Sequence, residues 1–162
     1  MGKRPNKGAD ARAGRINLIR IIGGLHRGRK LQFPDLPGLR PTSDRVRETL
    51  FNWLQPLLPG AVCLDLFTGS GALGLEAASR GAGEVLMLDR SPAVVDQVAH
   101  NIRLLSLTQA RVLQADALSW LQRPGRPYDL VFVDPPFADN LTESCCRSLQ
   151  ENGWLAPAAR IY

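Results

Sequence analysis

The fold is decided by the stretch AVCLDLFTGSGALGLEAASRG, residues 61–81. Its first seven residues are apolar apart from one Asp, which is typical of a short buried strand. Glycines in G-x-G-x-x-G spacing follow, and the run ALGLEAAS then predicts a helix that stops at Gly81. A strand joined through a glycine-rich turn to a helix is the repeating unit of a parallel α/β sheet.

The alternation of strand and helix continues along the chain. Further strands are predicted at 84–89, 110–116, 128–134 and 154–162, and helices at 91–107, 117–123 and 140–152. This order favours an open, mostly parallel sheet with helices on both faces. A helix is also predicted ahead of this unit within 43–60, ended by Pro56 and by Pro59-Gly60. Its apolar face is expected to be formed by Val46, Leu50, Trp53, Leu54 and Leu57.

The length and amino-acid composition limit the class of protein to which the chain can belong. A length of 162 residues and a hydrophobic fraction of 44% fit one globular domain. No apolar run approaches the length of a membrane span. Three cysteines, two of them adjacent, form no disulfide framework and fit a reducing cytoplasm. No Cys/His cluster has metal-ligand spacing, so we expect no metal and a cytoplasmic location.

Charge is divided unequally along the chain. Residues 1–47 hold twelve Lys and Arg against three Asp, a net charge of +9, and the remainder carries −4. We expect a disordered basic tail at 1–15, a basic β-hairpin and loop at 16–40, and the main domain at 41–162. A basic N-terminal segment ahead of a mildly acidic domain suggests a polyanionic partner, although a solubilising tail explains the charge equally well.

Four predicted strands carry an Asp at or near their ends: Asp65, Asp89, Asp116 and Asp134. In an open parallel sheet the C-terminal ends of the strands share one edge, where ligands bind. Unpaired carboxylates repel each other, so four at one edge indicate a site rather than a contribution to stability. A single one of them could instead cap a helix.

The turn itself contains Gly69, Gly71 and Gly74 and fits a dinucleotide site. Asp65, four residues ahead of Gly69, would repel a pyrophosphate but attract an amine. S-adenosylmethionine has such an amine and no phosphate, and glycines permit close approach of its methionine part.

Two further carboxylates fit either ligand. Asp89 can accept hydrogen bonds from both ribose hydroxyls, as NAD and S-adenosylmethionine equally require. Asp116 can accept from the adenine amino group or cap the following helix, and the sequence alone does not separate these roles.

At this point the chain resembles a known family. The segments DLFTGSGALGLEA, DRSP, ADA and DPPF together are similar to class I S-adenosylmethionine-dependent methyltransferases, which have a Rossmann-like fold. With RIIGGLHRGRKL and RPTSDRVRETLFNWL ahead of them, the chain from about residue 20 resembles the RsmD family. That resemblance implies methylation of N2 of a guanine in 16S ribosomal RNA of the small subunit.

The resemblance also assigns roles to residues. In DPPF, Asp134 and the carbonyl of Pro135 would accept the two N–H bonds of an exocyclic amine, and Pro136 would stiffen the turn. Phe137 would stack on the extruded base. The expected cofactor-binding residues are Asp65, Phe67, Gly69, Gly71, Asp89, Arg90, Asp116, Ala117 and Thr42. The expected RNA-binding residues are Arg20, Arg27, Arg29, Lys30, Arg40 and Arg45.

Three other functions remain open on the sequence. They are methylation of adenine N6 in DNA or of a glutamine side chain, dinucleotide-dependent oxidation, and RNA binding without catalysis. The chain stops at Tyr162 inside a predicted strand, whereas the enzymes of this family continue with further strands. The domain at 41–162 is therefore expected to lack its last strands, and a complete chain is expected to be monomeric. Trp53, Trp120 and Trp154 are expected in the core.

Overall fold

The computed structural model describes residues 17–136 and 140–162. The predicted tail at 1–15 and Phe137 lie outside the described residues. The elements, in chain order, are β1 (Asn17–Arg20), β2 (Lys30–Phe33), α1 (Asp44–Leu54), β3 (Val62–Asp65), α2 (Ala72–Ser79), β4 (Glu84–Asp89), α3 (Pro92–Leu104), β5 (Ala110–Gln114), α4 (Ala117–Leu121), β6 (Tyr128–Phe132), α5 (Thr142–Glu151) and β7 (Leu155–Ile161). No helix among them is long and apolar enough to cross a membrane.

The main sheet has five strands in the order β5-β4-β3-β6-β7, and all neighbouring pairs are parallel. The chain moves outward from β3 through β4 to β5, then returns to the other side of β3 for β6 and β7. The direction of winding therefore reverses between β3 and β6, and ligands bind beyond the strand ends at such a point. The predicted open parallel sheet is confirmed.

Helices cover both faces of this sheet, as predicted. On one face α1, α2 and α3 pack against it together with the hairpin, and Phe51 lies 5.8 Å from Phe132 between ring centroids. On the other face α4 and α5 enclose a second cluster, in which Tyr128 stacks on Trp154. Strands buried on both sides explain the nearly continuous apolar runs of the sequence.

The predicted N-terminal hairpin is present as the antiparallel pair β1–β2. Ile19, Leu31 and Phe33 are buried and attach the hairpin to the core. Its turn reaches the C-terminal end of α2, where Ser79 accepts hydrogen bonds from Leu25 (backbone carbonyl, 2.8 Å) and His26 (hydroxyl, 3.0 Å). Helix α2 therefore separates the hairpin turn from the glycine turn by about 12 Å, given 1.5 Å per residue.

The prediction that Trp53 lies in the core is wrong, because 76% of its surface is exposed. Helix α1 turns a different side to the sheet, and its buried residues are Arg47, Leu50, Phe51 and Leu54. Arg47 is held there by hydrogen bonds to the Arg20 carbonyl at 2.9 Å and to Asp44 at 2.6 Å. Trp154 is buried as predicted.

Candidate functional site

A cleft lies beyond the ends of the central strands, at the reversal between β3 and β6. Its walls come from the loops that follow β3, β4, β5 and β6, from residues 38–42, and from Leu141. Each of the four predicted strand-end carboxylates lies at this edge, three of them in the cleft wall. The edge predicted from the sequence is therefore the edge where the structure has its cleft.

The glycine turn forms the cleft wall closest to α2. Gly69 and Gly71 have φ angles of +53° and +83°, in a region that favours glycine. A Cβ atom on Gly69 would lie 2.8 Å from Cδ1 of Leu39, so the residues ahead of α1 pack directly on this turn. Gly71 precedes the first residue of α2, and its amide donates to the Thr68 carbonyl at 2.8 Å. This bond closes the turn, in which Gly69 and Ser70 line the cleft and Gly71 does not.

Asp65 lies beneath the cleft rather than in its wall, and only 1% of its surface is exposed. Among the described residues, neither carboxylate oxygen has a hydrogen-bond partner of good geometry, and the Thr68 hydroxyl is likewise unpaired. Burial raises the pKa of Asp65 to about 7, against the opposing effects of the nearby Thr68 hydroxyl and of the Gly74 and Phe67 amides. An unpaired buried carboxylate is costly, so a partner that is not part of this chain is expected to reach it.

Asp89 and Asp116 lie in the wall and already have backbone partners. Asp89 accepts from the Gly69 amide at 3.0 Å and from the Ser91 amide at 2.9 Å. Asp116 accepts from the Ser119 amide at 3.0 Å, which is the helix-capping role that the sequence left open. Each carboxylate oxygen can accept more than one hydrogen bond, so capping leaves room for a ligand.

Four other residues predicted to bind a cofactor also line the cleft: Phe67, Arg90, Ala117 and Thr42. Thr68 and Leu39 line the cleft as well, and neither is among the site residues predicted from the sequence. Thr68 directly precedes Gly69, the first glycine of the motif, and that position was the signal that could have identified it. Leu39 could not have been found, because its contact with Gly69 joins segments that are 30 residues apart. The cofactor-binding roles of all these residues stay predictions.

The DPPF segment contributes Asp134, Pro135 and Pro136 to the cleft wall, and Phe137 lies outside the described residues. Asp134 is exposed, and its charge helps to raise the pKa of Asp65. The amide of the preceding Val133 donates to the Tyr162 carbonyl at 2.7 Å, which ties this strand end to the end of β7. The carboxylate is thus accessible on a supported backbone.

The predicted RNA-binding residues lie in three different regions of the structure. Arg27, Arg29 and Lys30 are exposed around the hairpin turn. Arg20 and Arg45 lie near the start of α1, where Arg20 pairs with Asp44 at 3.3 Å. Arg40 alone of the set lines the cleft.

Sequence and structure comparisons agree with this geometry. The profile of the family described as Conserved hypothetical protein 95 matches residues 19–162. The chain is 55% identical over 144 residues to ribosomal RNA small subunit methyltransferase D of Escherichia coli, covering 89% of this chain and 73% of that protein. It is 49% identical over 148 residues to the Haemophilus influenzae protein of the same name, covering 89% and 77%.

A solved structure shows the same fold. The Escherichia coli methyltransferase yhhF superposes with a TM-score of 0.84 at 50% identity, covering 90% of this chain and 79% of that one. The family profile, which matches residues 19–162, contains the glycine turn, the DPPF segment and most of the hairpin. The chain therefore belongs to the RsmD family of methyltransferases.

Proposed function

We propose that this protein transfers a methyl group from S-adenosylmethionine to the exocyclic N2 of a guanine in 16S ribosomal RNA. The observation that carries the proposal is the exposed carboxylate of Asp134, which borders a cleft above the unpaired Asp65. The names of the relatives support ribosomal RNA of the small subunit as the substrate. Such a substrate implies work in the cytoplasm.

The residues of the cleft fit S-adenosylmethionine. Its ammonium group would satisfy the buried oxygens of Asp65 and Thr68, which have no hydrogen-bond partner among the described residues. The glycine turn leaves backbone exposed where the amino-acid part would lie. Asp89 would accept from the ribose, and Asp116 from the adenine amino group. When bound, this cofactor supplies a methyl group activated by a sulfonium.

The chain's own contribution to the reaction is orientation. The lone pair of a guanine amine is delocalised into the ring, so the amine must be turned before it can act as a nucleophile. Asp134 and the carbonyl of Pro135 would accept its two N–H bonds and hold the lone pair toward the methyl group. Proline fixes φ at residues 135 and 136, which restricts the direction of that carbonyl. Most of the rate enhancement would come from such positioning.

The RNA would be held by cations remote from the cleft. Arg27, Arg29 and Lys30 are exposed at the far end of α2, and phosphate contacts there would add affinity without sequence specificity. The contact surface would therefore extend from the cleft along the hairpin. This length favours a structured RNA or a ribosomal subunit over a short single strand.

The test is methyl transfer from labelled S-adenosylmethionine to small ribosomal subunits taken from cells that lack the modification. Product RNA is digested to nucleosides and the label is identified. We expect label in N2-methylguanosine. Label in N6-methyladenosine, or in a glutamine of a protein, would favour the other amino-methyltransferase activities. RNA binding without any transfer would contradict the proposal.

A further inference from the structure

We propose that Arg40 binds the carboxylate of the cofactor's methionine part, rather than an RNA phosphate as the sequence suggests. The inference rests on the proposed use of S-adenosylmethionine. It assigns a recognition role to the loop between the hairpin and α1, outside the glycine turn and the strand ends.

The charges around the cleft create the need for such a cation. Asp89, Asp116 and Asp134 line it, and Asp65 lies beneath it. A ligand that carries a carboxylate would be repelled by these groups unless a cation compensates them. Among the described residues that line the cleft, the cations are Arg40 and Arg90.

Position favours Arg40 over Arg90. The carboxylate and ammonium of an amino acid are bonded to the same carbon, so their two binding groups must lie close together. The expected ammonium partners, Asp65 and Thr68, adjoin Gly69, and Leu39 packs on Gly69 from the opposite segment. Arg40 directly follows Leu39. Arg90 instead follows Asp89 at the end of β4, where the ribose is expected.

The loop is built to hold Arg40 in place. The Leu39 amide donates to the Leu36 carbonyl at 3.1 Å, and the Thr42 carbonyl accepts from Nε of the buried Arg47 at 3.2 Å. The backbone is thus anchored on both sides of Arg40. Within the described part of the chain, its guanidinium makes no hydrogen bond or ion pair, whereas Arg20 and Arg47 both pair with Asp44. A guanidinium can bind a carboxylate through two parallel hydrogen bonds.

The test compares two ligands by calorimetry without RNA. S-adenosylmethionine carries the carboxylate, and its decarboxylated analogue keeps the sulfonium and the amine but lacks it. We expect the unaltered protein to bind S-adenosylmethionine about tenfold to a hundredfold more tightly than the analogue, the range for a hydrogen bond between charged groups. In Arg40→Gln the ratio of the affinity for S-adenosylmethionine to the affinity for the analogue should fall toward one, and the affinity for the analogue should be nearly unchanged. Arg40→Lys should keep part of the preference.

Arg103→Gln, an exposed arginine on α3, is the matched control and should alter neither affinity. Equal weakening of both ligands in Arg40→Gln would overturn the inference, because Arg40 would then support the loop. Unchanged cofactor affinities with a reduced salt dependence of RNA binding would also overturn it, in favour of a phosphate contact. If the unaltered protein bound neither ligand, the proposed function itself would fail.

Discussion

Two buried acids lie on either side of the glycine turn, and their surroundings differ. Glu76 on α2 is fully buried and accepts from the amides of Ile22 and Gly23, each at 2.9 Å, and from Arg80 at 2.8 Å, with Arg47 at 3.6 Å. Asp65 at the end of β3 is equally buried and has no such partner among the described residues.

Burial alone therefore does not distinguish a structural acid from a functional one. Glu76 joins three parts of the chain, because it holds the hairpin, α1 and α2 through one carboxylate. Asp65 makes no hydrogen bond of good geometry to the described part of the chain, and burial of its charged form is unfavourable without a cation beside it. The number of partners separates the two roles, and each role predicts a different response to mutation.

The largest effect is expected when the paired acid is removed. Glu76→Ala should lower the free energy of unfolding by about 3–5 kcal/mol, because it leaves the buried Arg80 without its carboxylate partner and the buried Arg47 with Asp44 alone. Urea unfolding followed by circular dichroism measures this. Glu143→Ala, which breaks an exposed pair with Arg147, is the control and should cost less than about 1 kcal/mol. Similar losses in the two variants would show that the Glu76 network is not a stabilising feature.

Removing the charge of the unpaired acid should have the opposite sign. The pKa of Asp65 is about 7 in the folded protein against an ordinary 3.8, so its contribution to stability is complete below pH 4 and is lost as pH rises through 7. Asp65→Asn does not ionise there and should be more stable than the unaltered protein at pH 8, by up to about 4 kcal/mol.

This difference should vanish near pH 4, and cofactor binding should weaken in the variant. The ionisable groups near Asp65 are Asp134 and Cys63, and burial raises the pKa of the Cys63 thiol to about 12, outside this range. The measurement is urea unfolding at several pH values without cofactor. Parallel stability profiles for the two proteins would mean that Asp65 is not destabilised by burial.

The exposed carboxylate at the neighbouring strand end should affect rate instead of stability. Asp134→Ala should slow single-turnover methyl transfer by about a hundredfold, the scale for removing one well-placed polar group from a transition state. Affinities for cofactor and RNA should remain close to normal. Asp134→Asn should be milder, since its amide oxygen still accepts one N–H bond. An unchanged rate at saturating substrates in Asp134→Ala would exclude the proposed orientation of the amine.

The smallest effect is expected far from both acids. Replacing Arg27 and Arg29 by Ala should reduce the slope of log affinity for RNA against log salt concentration by about two units, one for each lost phosphate contact. Cofactor affinity should stay the same, because α2 separates these residues from the glycine turn. Filter binding at several salt concentrations measures the slope. If the slope does not change, the hairpin turn does not contact phosphate.

Much of the fold could be predicted because its signals are local. Apolar runs, Ser91 before Pro92, and the glycines each act within a few residues, and the strands and helices followed from them. The edge that carries the cleft was also predictable, since parallel strands ending in Asp must share it.

Contacts between distant segments could not be predicted in this way. Trp53 fits the apolar face of α1 by spacing, but Arg47 occupies a buried place on that helix through bonds to residues on other segments. Glu76 could be noticed in the sequence because it is the one charged residue in the apolar run ALGLEAAS. The sequence did not indicate which residues would pair with it.

The hydrogen bonds that Glu76 accepts from residues far away in the sequence also have a consequence for folding during synthesis of the chain. Residues 17–33 are made before their partners, since Ile22 bonds to a side chain 54 positions later and Gln32 to Asn101, 69 positions later. Until those partners have been translated, Ile19, Leu31 and Phe33 have no core to cover them. Contacts so distant in sequence also form slowly. The earliest described strands to be translated are thus expected to be among the last to gain their native contacts.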